Sequence, residues 1–154
     1  MSRFSLSRRV NVTAEQAFAI AANVGAYKDF LPLVKRSTVR NFSRVSDQEA
    51  KFLGDLQISF DRLGISESFV SAVETNSNHG TVVATSSDGP MKSLRAEWQI
   101  AQEGSAANVS ICVDYVLKSK MLQIAAGGLV NFAAQKILDA FERRAKELYD
   151  TVSS

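Results

Sequence analysis

The C-terminal part of the chain carries the longest periodic signal in the sequence. Between Met121 and Val152, apolar residues recur at steps of three and four, which places them on one face of an amphipathic helix. The residues of this face are Leu122, Ala125, Ala126, Leu129, Phe132, Ala133, Ile137, Ala140, Phe141, Ala145 and Leu148. At about 1.5 Å per residue, such a helix would be roughly 45 Å long, so it could cross a small domain.

Most of the chain before this helix alternates between apolar and polar residues, as half-buried β-strands do. A first strand is predicted at Arg3–Val12 and a helix at Ala14–Asn23, where Thr13 and Gln16 form a capping box. Six more strands are predicted in the range 34–117, because tight turns separate the alternating runs. Consecutive strands joined in this way form an antiparallel meander, and a long helix is the simplest cover for its apolar face.

Composition agrees with one globular domain. The chain has 154 residues, of which 45% are hydrophobic and 22% charged, and these values are ordinary for a domain with a real core. We therefore expect a single α+β domain over residues 1–154. The stretch Met1–Val10 lacks the apolar core of a secretory signal, and no apolar run approaches the roughly 18 residues of a membrane span, so a cytoplasmic location is expected. A net charge of +2 gives no argument for DNA binding.

A short aromatic segment follows the first helix. It reads Tyr27-Lys28-Asp29-Phe30-Leu31-Pro32-Leu33 and contains more large apolar side chains than a solvated connection needs. One interpretation is that the segment plugs the core beneath the first helix. The other is that it forms a lid over an opening, since exposed apolar clusters usually contact something.

Few residues are suited to catalysis. His79 lies in a turn, and Cys112 is on a distant strand, so neither a Cys/His nucleophile pair nor a zinc site is expected. Glu67 shares its strand parity with Ile65 and Phe69, which allows it to point inward, where burial would raise its pKa and suit it to general-acid chemistry. A place at the rim of a pocket, in contact with water, is the other interpretation. The sequence therefore predicts a binding protein rather than an enzyme.

Small residues stand at the front of the predicted long helix. The run Ala125-Ala126-Gly127-Gly128 holds the helix surface back from the sheet, and each glycine weakens the helix by roughly 1 kcal/mol relative to alanine. Close helix-sheet packing or a kink would explain this run. Space for a ligand would explain it equally well, because ligand sites are concave and apolar.

Three stretches resemble a known family. They are Tyr27–Pro32, then Gly89-Pro90 with Leu94 and Trp98, and then Ala140–Tyr149. Together they are similar to the coenzyme Q-binding START-domain family. This family belongs to the polyketide cyclase/dehydratase superfamily, which also includes the bacterial ribosome-association toxin. The order β-α-α-β6-α resembles its helix-grip (START-like) fold, in which an antiparallel sheet wraps around a long C-terminal helix and leaves an apolar cavity.

The resemblance implies that the cavity binds ubiquinone or a similar polyisoprenoid lipid. Such a protein would chaperone the quinone for respiratory electron transport without chemical turnover. It would need no cofactor beyond the bound quinone, and it would contact the inner membrane peripherally. The implied ligand-binding residues are Tyr27, Phe30, Pro32 and Leu33 at the lip, Phe60, Phe69, Leu94, Trp98 and Tyr115 on the wall, and Leu122, Leu129 and Phe132 on the helix.

The chain departs from the family pattern just after Pro32. Members of the family often carry a tryptophan and a cysteine there, where this chain has Leu33 and Val34. A role that depends on the thiol would not carry over, whereas a purely apolar role would.

Two other functions compete with quinone binding. One is a module that binds the large ribosomal subunit and blocks subunit joining, as the toxin members of the superfamily do. The basic residues Lys35, Arg36, Arg40 and Arg44 support it, although they also fit an ordinary solvated strand face. The other is a cyclase or dehydratase that uses Glu67 as its acid.

Overall fold

The computed structural model describes residues 2–61, 64–127 and 130–149, with the side chains of Phe60 and of residues 130–132 outside the description. The strands of this part are β1 (Ser2–Val10), β2 (Val34–Arg44), β3 (Glu49–Phe60), β4 (Ile65–Asn76), β5 (Thr81–Ser86), β6 (Met91–Glu103) and β7 (Ala106–Leu117). The helices are α1 (Ala14–Ala22), a 3₁₀ helix (Val24–Asp29), α2 (Lys120–Gly127) and α3 (Val130–Tyr149). The element order is the predicted one, with the second helix formed as a 3₁₀ helix.

The strands form one antiparallel sheet in the order β1-β7-β6-β5-β4-β3-β2. The meander from β2 to β7 confirms the prediction from alternation. Strand β1 is added to the end of this meander by antiparallel pairing with β7, where Ser2 lies opposite Tyr115. Strands β1 and β2 are therefore the two edges of the sheet.

Helix α1 begins with the predicted capping box. The Gln16 backbone N–H donates to the Thr13 hydroxyl (3.1 Å), and the Thr13 N–H donates to the Gln16 side-chain oxygen (3.0 Å). The 3₁₀ helix that follows is fastened to β2 by Ser37. This buried hydroxyl donates to the Gly25 carbonyl (2.9 Å) and accepts from the Lys28 N–H (3.0 Å). The aromatic segment is thus held beside β2.

The predicted long C-terminal helix is described in two segments, α2 and α3. Helix α2 is described up to Gly127 and α3 from Val130. Residues 128–129, and hence the predicted contact of Leu129, lie outside the described residues, as do residues 150–152.

Helix α3 supplies the centre of the core. Its fully buried positions are Ala134, Leu138, Phe141 and Ala145, which follow one another at steps of four and three. The observed core face differs from the predicted one at two positions. Leu148 was predicted on the face but is 45% exposed, whereas Leu138 was not predicted and is in the core. The sheet grips this face of α3, which gives the expected α+β helix-grip architecture.

An ion-pair cluster joins α3 to the edge strand β1. Arg8 lies on the inward side of β1, and its guanidinium is 2.5 Å from the Asp139 carboxylate and 3.6 Å from that of Glu142. The Arg8 side chain is 23% exposed, but the two carboxylates are 51% and 52% exposed, so solvent screens these charges as it does in other surface pairs.

Candidate functional site

A small apolar cavity lies between α2 and the ends of four strands. Its volume is about 40 Å³, which is room for a few water molecules at most and far less than an isoprenoid chain needs. The lining residues are Ile58, Ile65, Glu67, Pro90, Met91, Leu117, Leu122 and Ala126. All of them except Glu67 are apolar, so the cavity favours an apolar ligand.

Helix α2 forms the outer wall of this cavity. Leu122 and Ala126 lie one turn apart and face the cavity, whereas Met121 and Ile124 are 80% and 79% exposed. No residue of α2 is buried. A helix with so little apolar packing can move at a low free-energy cost, so α2 is the part of the wall best suited to opening.

Polar contacts hold α2 in place instead. Ser119 caps its start by accepting the Leu122 N–H (3.2 Å). The Gln123 side chain accepts the Leu117 N–H (2.7 Å) and donates to the Ser2 hydroxyl (2.7 Å). The helix is therefore tied to β7 and β1 at one end.

Glu67 brings one carboxyl group to the cavity. It lies opposite Ile58 in the β3-β4 register, and its side chain is half-buried, as its parity with Ile65 and Phe69 predicts. It can accept a hydrogen bond from a ligand. It is the only ionisable residue among the described residues that line this cavity.

Tyr27 lies in the core rather than at an opening. It is 8% exposed, and its hydroxyl donates to the Ala21 carbonyl of α1. Burial raises the pKa of Tyr27 above its ordinary value, and a hydrogen bond from Trp98 acts in the opposite direction. The aromatic segment thus plugs the core beneath α1, which is the first of the two interpretations of this stretch.

The other predicted ligand residues are spread over the molecule. Phe69, Trp98 and Tyr115 are buried, and Leu94 is half-buried. Phe30 and Pro32 line an open groove beside α3. The predicted residue that lines the apolar cavity is Leu122. The side chains of Phe60 and Phe132 lie outside the description, and ligand contact stays a prediction for every residue of the set.

Several cavity residues were not among the predicted contacts. They are Ile58, Ile65, Pro90, Met91 and Leu117, whereas Ala126 belongs to the run of small residues for which space for a ligand was one interpretation. The signal that could have found the four strand residues is their parity combined with their position at the ends of strands. Ile58 and Ile65 flank the β3-β4 turn on the inward side, and Met91 and Leu117 face one another where β6 begins and β7 ends.

Leu33 has an unusual backbone. Its φ is +73°, a left-handed conformation that costs a non-glycine residue roughly 1–2 kcal/mol. Pro32 precedes it, and the Leu33 carbonyl accepts the Ser59 N–H (2.8 Å). The turn therefore has a fixed geometry where the aromatic segment enters β2.

Strand β2 presents the predicted basic residues on an exposed edge. Arg40 pairs with Asp55 (2.8 Å) and Lys35 with Asp61 (3.5 Å). The pKa of Asp61 is lowered, chiefly by a hydrogen bond from Ser59 and also by Lys35. Arg44 lies over the ring of Phe42, 5.6 Å from its centroid. The edge is thus cationic and aromatic, with part of its charge paired.

Other kinds of site find little support in the described ranges. Residues 2–61, 64–127 and 130–149 contain no group of three or more His, Cys, Asp or Glu side chains that could hold a metal ion. Among the same residues, none of the helices has the length and apolarity needed to cross a membrane. His79 is exposed in its turn, as expected.

Comparison with known proteins identifies relatives over the whole chain. The family model for "Polyketide cyclase / dehydrase and lipid transport" matches residues 10–142. The chain is 31% identical to the ribosome association toxin RatA of Vibrio cholerae over 151 residues, which is 97% of this chain and 99% of the relative.

Solved structures agree with this result. An 18 kDa protein of Caulobacter crescentus matches with a TM-score of 0.81 and 26% identity, covering 98% of this chain and all of the other. A START superfamily protein of Mycobacterium smegmatis matches with a TM-score of 0.72 over 95% of this chain and 98% of the other. At 19% identity, the second likeness concerns the fold alone. The chain belongs to the polyketide cyclase/dehydrase and lipid transport family.

Proposed function

We propose that the protein is a ribosome-binding module that associates with the large ribosomal subunit and blocks subunit joining, without chemical turnover. The observation that carries this proposal is the end-to-end correspondence with proteins named as ribosome association toxins, which leaves no large segment unmatched on either side. The exposed cationic surface is the structural feature that supports it, because ribosomal RNA is a polyanion.

The ion pairs of β2 do not prevent such binding. The pairs Arg40–Asp55 and Lys35–Asp61 are exposed, and exposed pairs are typically worth about 0–1 kcal/mol. The free-energy cost is therefore small when Arg40 or Lys35 leaves its carboxylate partner to bind an RNA phosphate. Arg36 forms no ion pair within the described residues.

Ribosome profiles test the proposal. The protein is overproduced in a bacterial host, and lysates are separated on sucrose gradients beside a vector control. We expect the 70S peak to fall while the free 30S and 50S peaks rise. An unchanged 70S peak, with the protein absent from the 50S fractions, would contradict the proposal.

A second candidate function is binding of ubiquinone or a similar isoprenoid lipid at the inner membrane surface. The apolar cavity and its weakly packed cover α2 favour it. Outward movement of α2 would enlarge the cavity, and burial of an isoprenoid tail is favourable by about 25 cal/mol per Å². The protein would be purified from a quinone-producing host and extracted with organic solvent. Extracts without quinone or a similar lipid would exclude this function.

The proposed lack of turnover has its own test. Glu67 has no ionisable neighbour among the described cavity residues, whereas acid-base chemistry on a ring usually needs positioned polar partners. We expect Glu67→Gln protein to keep the effect on ribosome profiles. Loss of that effect, with the fold intact, would favour a cyclase or dehydratase that uses Glu67.

A further inference from the structure

We propose that a groove between the aromatic segment and α3 binds single-stranded ribosomal RNA. We call it the Pro32 groove, and it is lined by Lys28, Asp29, Phe30, Leu31, Pro32, Lys136, Ala140 and Arg143. The inference rests on the proposed ribosome binding and names the surface and the type of RNA involved. It places the main contact between the aromatic segment and α3, rather than on the basic side chains of β2 that the sequence singled out.

The charge of the groove is positive. Three cationic side chains and one carboxylate, that of Asp29, line a space of about 290 Å³. Lys28 and Arg143 are both exposed, and neither forms an ion pair within the described ranges. On β2, by comparison, Lys35 and Arg40 are already paired, whereas Arg36 is not. Unpaired cations gain the most from a phosphate, because binding releases condensed counterions from the nucleic acid.

An aromatic ring covered by a cation stands beside these charges. Phe30 forms one wall of the groove, and the guanidinium of Arg144 lies 5.5 Å from its ring centroid. The Phe30 ring also contacts the ring of Tyr27, with the centroids 6.0 Å apart and the planes nearly perpendicular. Unpaired bases stack on aromatic rings and on arginine planes. A groove that combines such a stack with phosphate-binding cations fits a single strand better than it fits an acidic protein.

Hydrogen bonds hold the wall of the groove that carries Phe30. The hydroxyl of Tyr27 is anchored to α1, and Ser37 fastens the backbone of Lys28 to β2. At the C-terminal end of the same segment, the Leu33 carbonyl accepts a hydrogen bond from the Ser59 N–H. Because these contacts fix the wall that carries Phe30, little conformational entropy remains to be lost on binding.

The test measures binding of the labelled full-length chain to purified 50S subunits at several salt concentrations. The variants are Lys28→Gln/Arg143→Gln and, as a control with the same charge change, Lys92→Gln/Lys118→Gln at exposed sites elsewhere. We expect the groove variant to bind 50S subunits more weakly. A plot of the logarithm of the association constant against the logarithm of the salt concentration should have a slope shallower by about 1.4, because two phosphate contacts are lost and each contact to a single strand contributes about 0.7. The control should keep the wild-type affinity and slope.

The outcomes separate the two proposals. If the wild-type chain does not bind 50S subunits, the proposed function fails. If it binds and the two double variants behave alike, the assignment of the groove is overturned while ribosome binding stands. Ultraviolet cross-linking identifies the partner. A cross-link from the peptide that contains Phe30 to ribosomal RNA supports the inference, and one to a ribosomal protein overturns it.

Discussion

The indole of Trp98 on β6 lies against the ring of Phe141 on α3, with the ring centroids 5.2 Å apart and the planes inclined by 34°. Both side chains belong to the main core cluster, and Phe141 has no exposed surface. Through this contact, the inner face of the sheet packs against α3.

Removal of that ring should be costly. We expect Phe141→Ala to lower the free energy of unfolding by about 3–5 kcal/mol, because a buried cavity replaces the ring. The matched control is Phe42→Ala, since Phe42 is 57% exposed on β2 and stacks on Phe52. Its loss should be about 1 kcal/mol, the typical value of an aromatic pair. Urea unfolding followed by Trp98 fluorescence measures both, and equal losses would contradict the packing described.

Tyr27 should make stability depend on alkaline pH. Its pKa is raised by burial above the ordinary value of 10.0, so the folded state keeps a proton that the unfolded chain loses. Stability is therefore full below about pH 10 and declines as the pH rises from there toward the folded-state pKa. In Tyr27→Phe protein this part of the decline should disappear. At pH 7 the same variant should lose about 1–2 kcal/mol, because the Ala21 carbonyl loses its partner.

Urea titrations at pH 7 and above pH 10 measure both effects. Tyr149→Phe controls for a general effect of tyrosine removal, since Tyr149 is half-buried near the end of α3. A steep alkaline decline that persists in Tyr27→Phe protein would show that another group is responsible.

Two turn glycines with the same backbone should respond differently to alanine. Gly80 and Gly104 have φ values of +67° and +64°. A Cβ at Gly80 would lie 2.1 Å from the Ile100 carbonyl oxygen, whereas nothing lies within 4 Å of a Cβ at Gly104. Gly104→Ala should cost only the left-handed strain of about 1–2 kcal/mol.

Gly80→Ala should cost clearly more, because the β5 and β6 backbones must also separate. The Ile100 N–H donates to the Gly80 carbonyl at 2.8 Å, so this separation would disturb that hydrogen bond as well. Thermal unfolding of the two variants compares them directly. A smaller shift for Gly80→Ala than for Gly104→Ala would be incompatible with the close approach of these strands.

The cavity residue Ala126 separates the two candidate functions. Ala126→Leu should fill the 40 Å³ space beneath α2 and lower the amount of extracted lipid, while binding to 50S subunits stays unchanged. Ile124→Leu, at a position that is 79% exposed, is the control and should change neither result. If Ala126→Leu also abolishes ribosome binding in a folded protein, the cavity and the ribosome surface are coupled.

Sequence periodicity predicts the sheet well because each strand has one wet and one buried side. Strand β1 alternates as expected, and Glu67 is found on the inward side by parity alone. The family resemblance, which is carried by short stretches such as Tyr27–Pro32, leads to the correct fold.

The candidate site was harder to predict, for physical reasons. Tyr27 is amphipathic, so its sequence context fits a pocket lip as well as a core position whose hydroxyl needs a buried acceptor. The Pro32 groove brings Lys28 next to Arg143, and residues 115 positions apart become neighbours only through tertiary structure.

Strand β2 is a free edge of the sheet, so its outer backbone groups could pair with a strand of another molecule. Its cationic side chains and its irregular register between Arg40 and Ser43, where Asn41 has a φ of +57°, oppose such pairing. We therefore expect β2 to protect the protein against aggregation. Arginine substitutions made in β2 to probe binding would also remove this protection, and a loss of soluble protein in such variants would report strand-to-strand association rather than a lost partner.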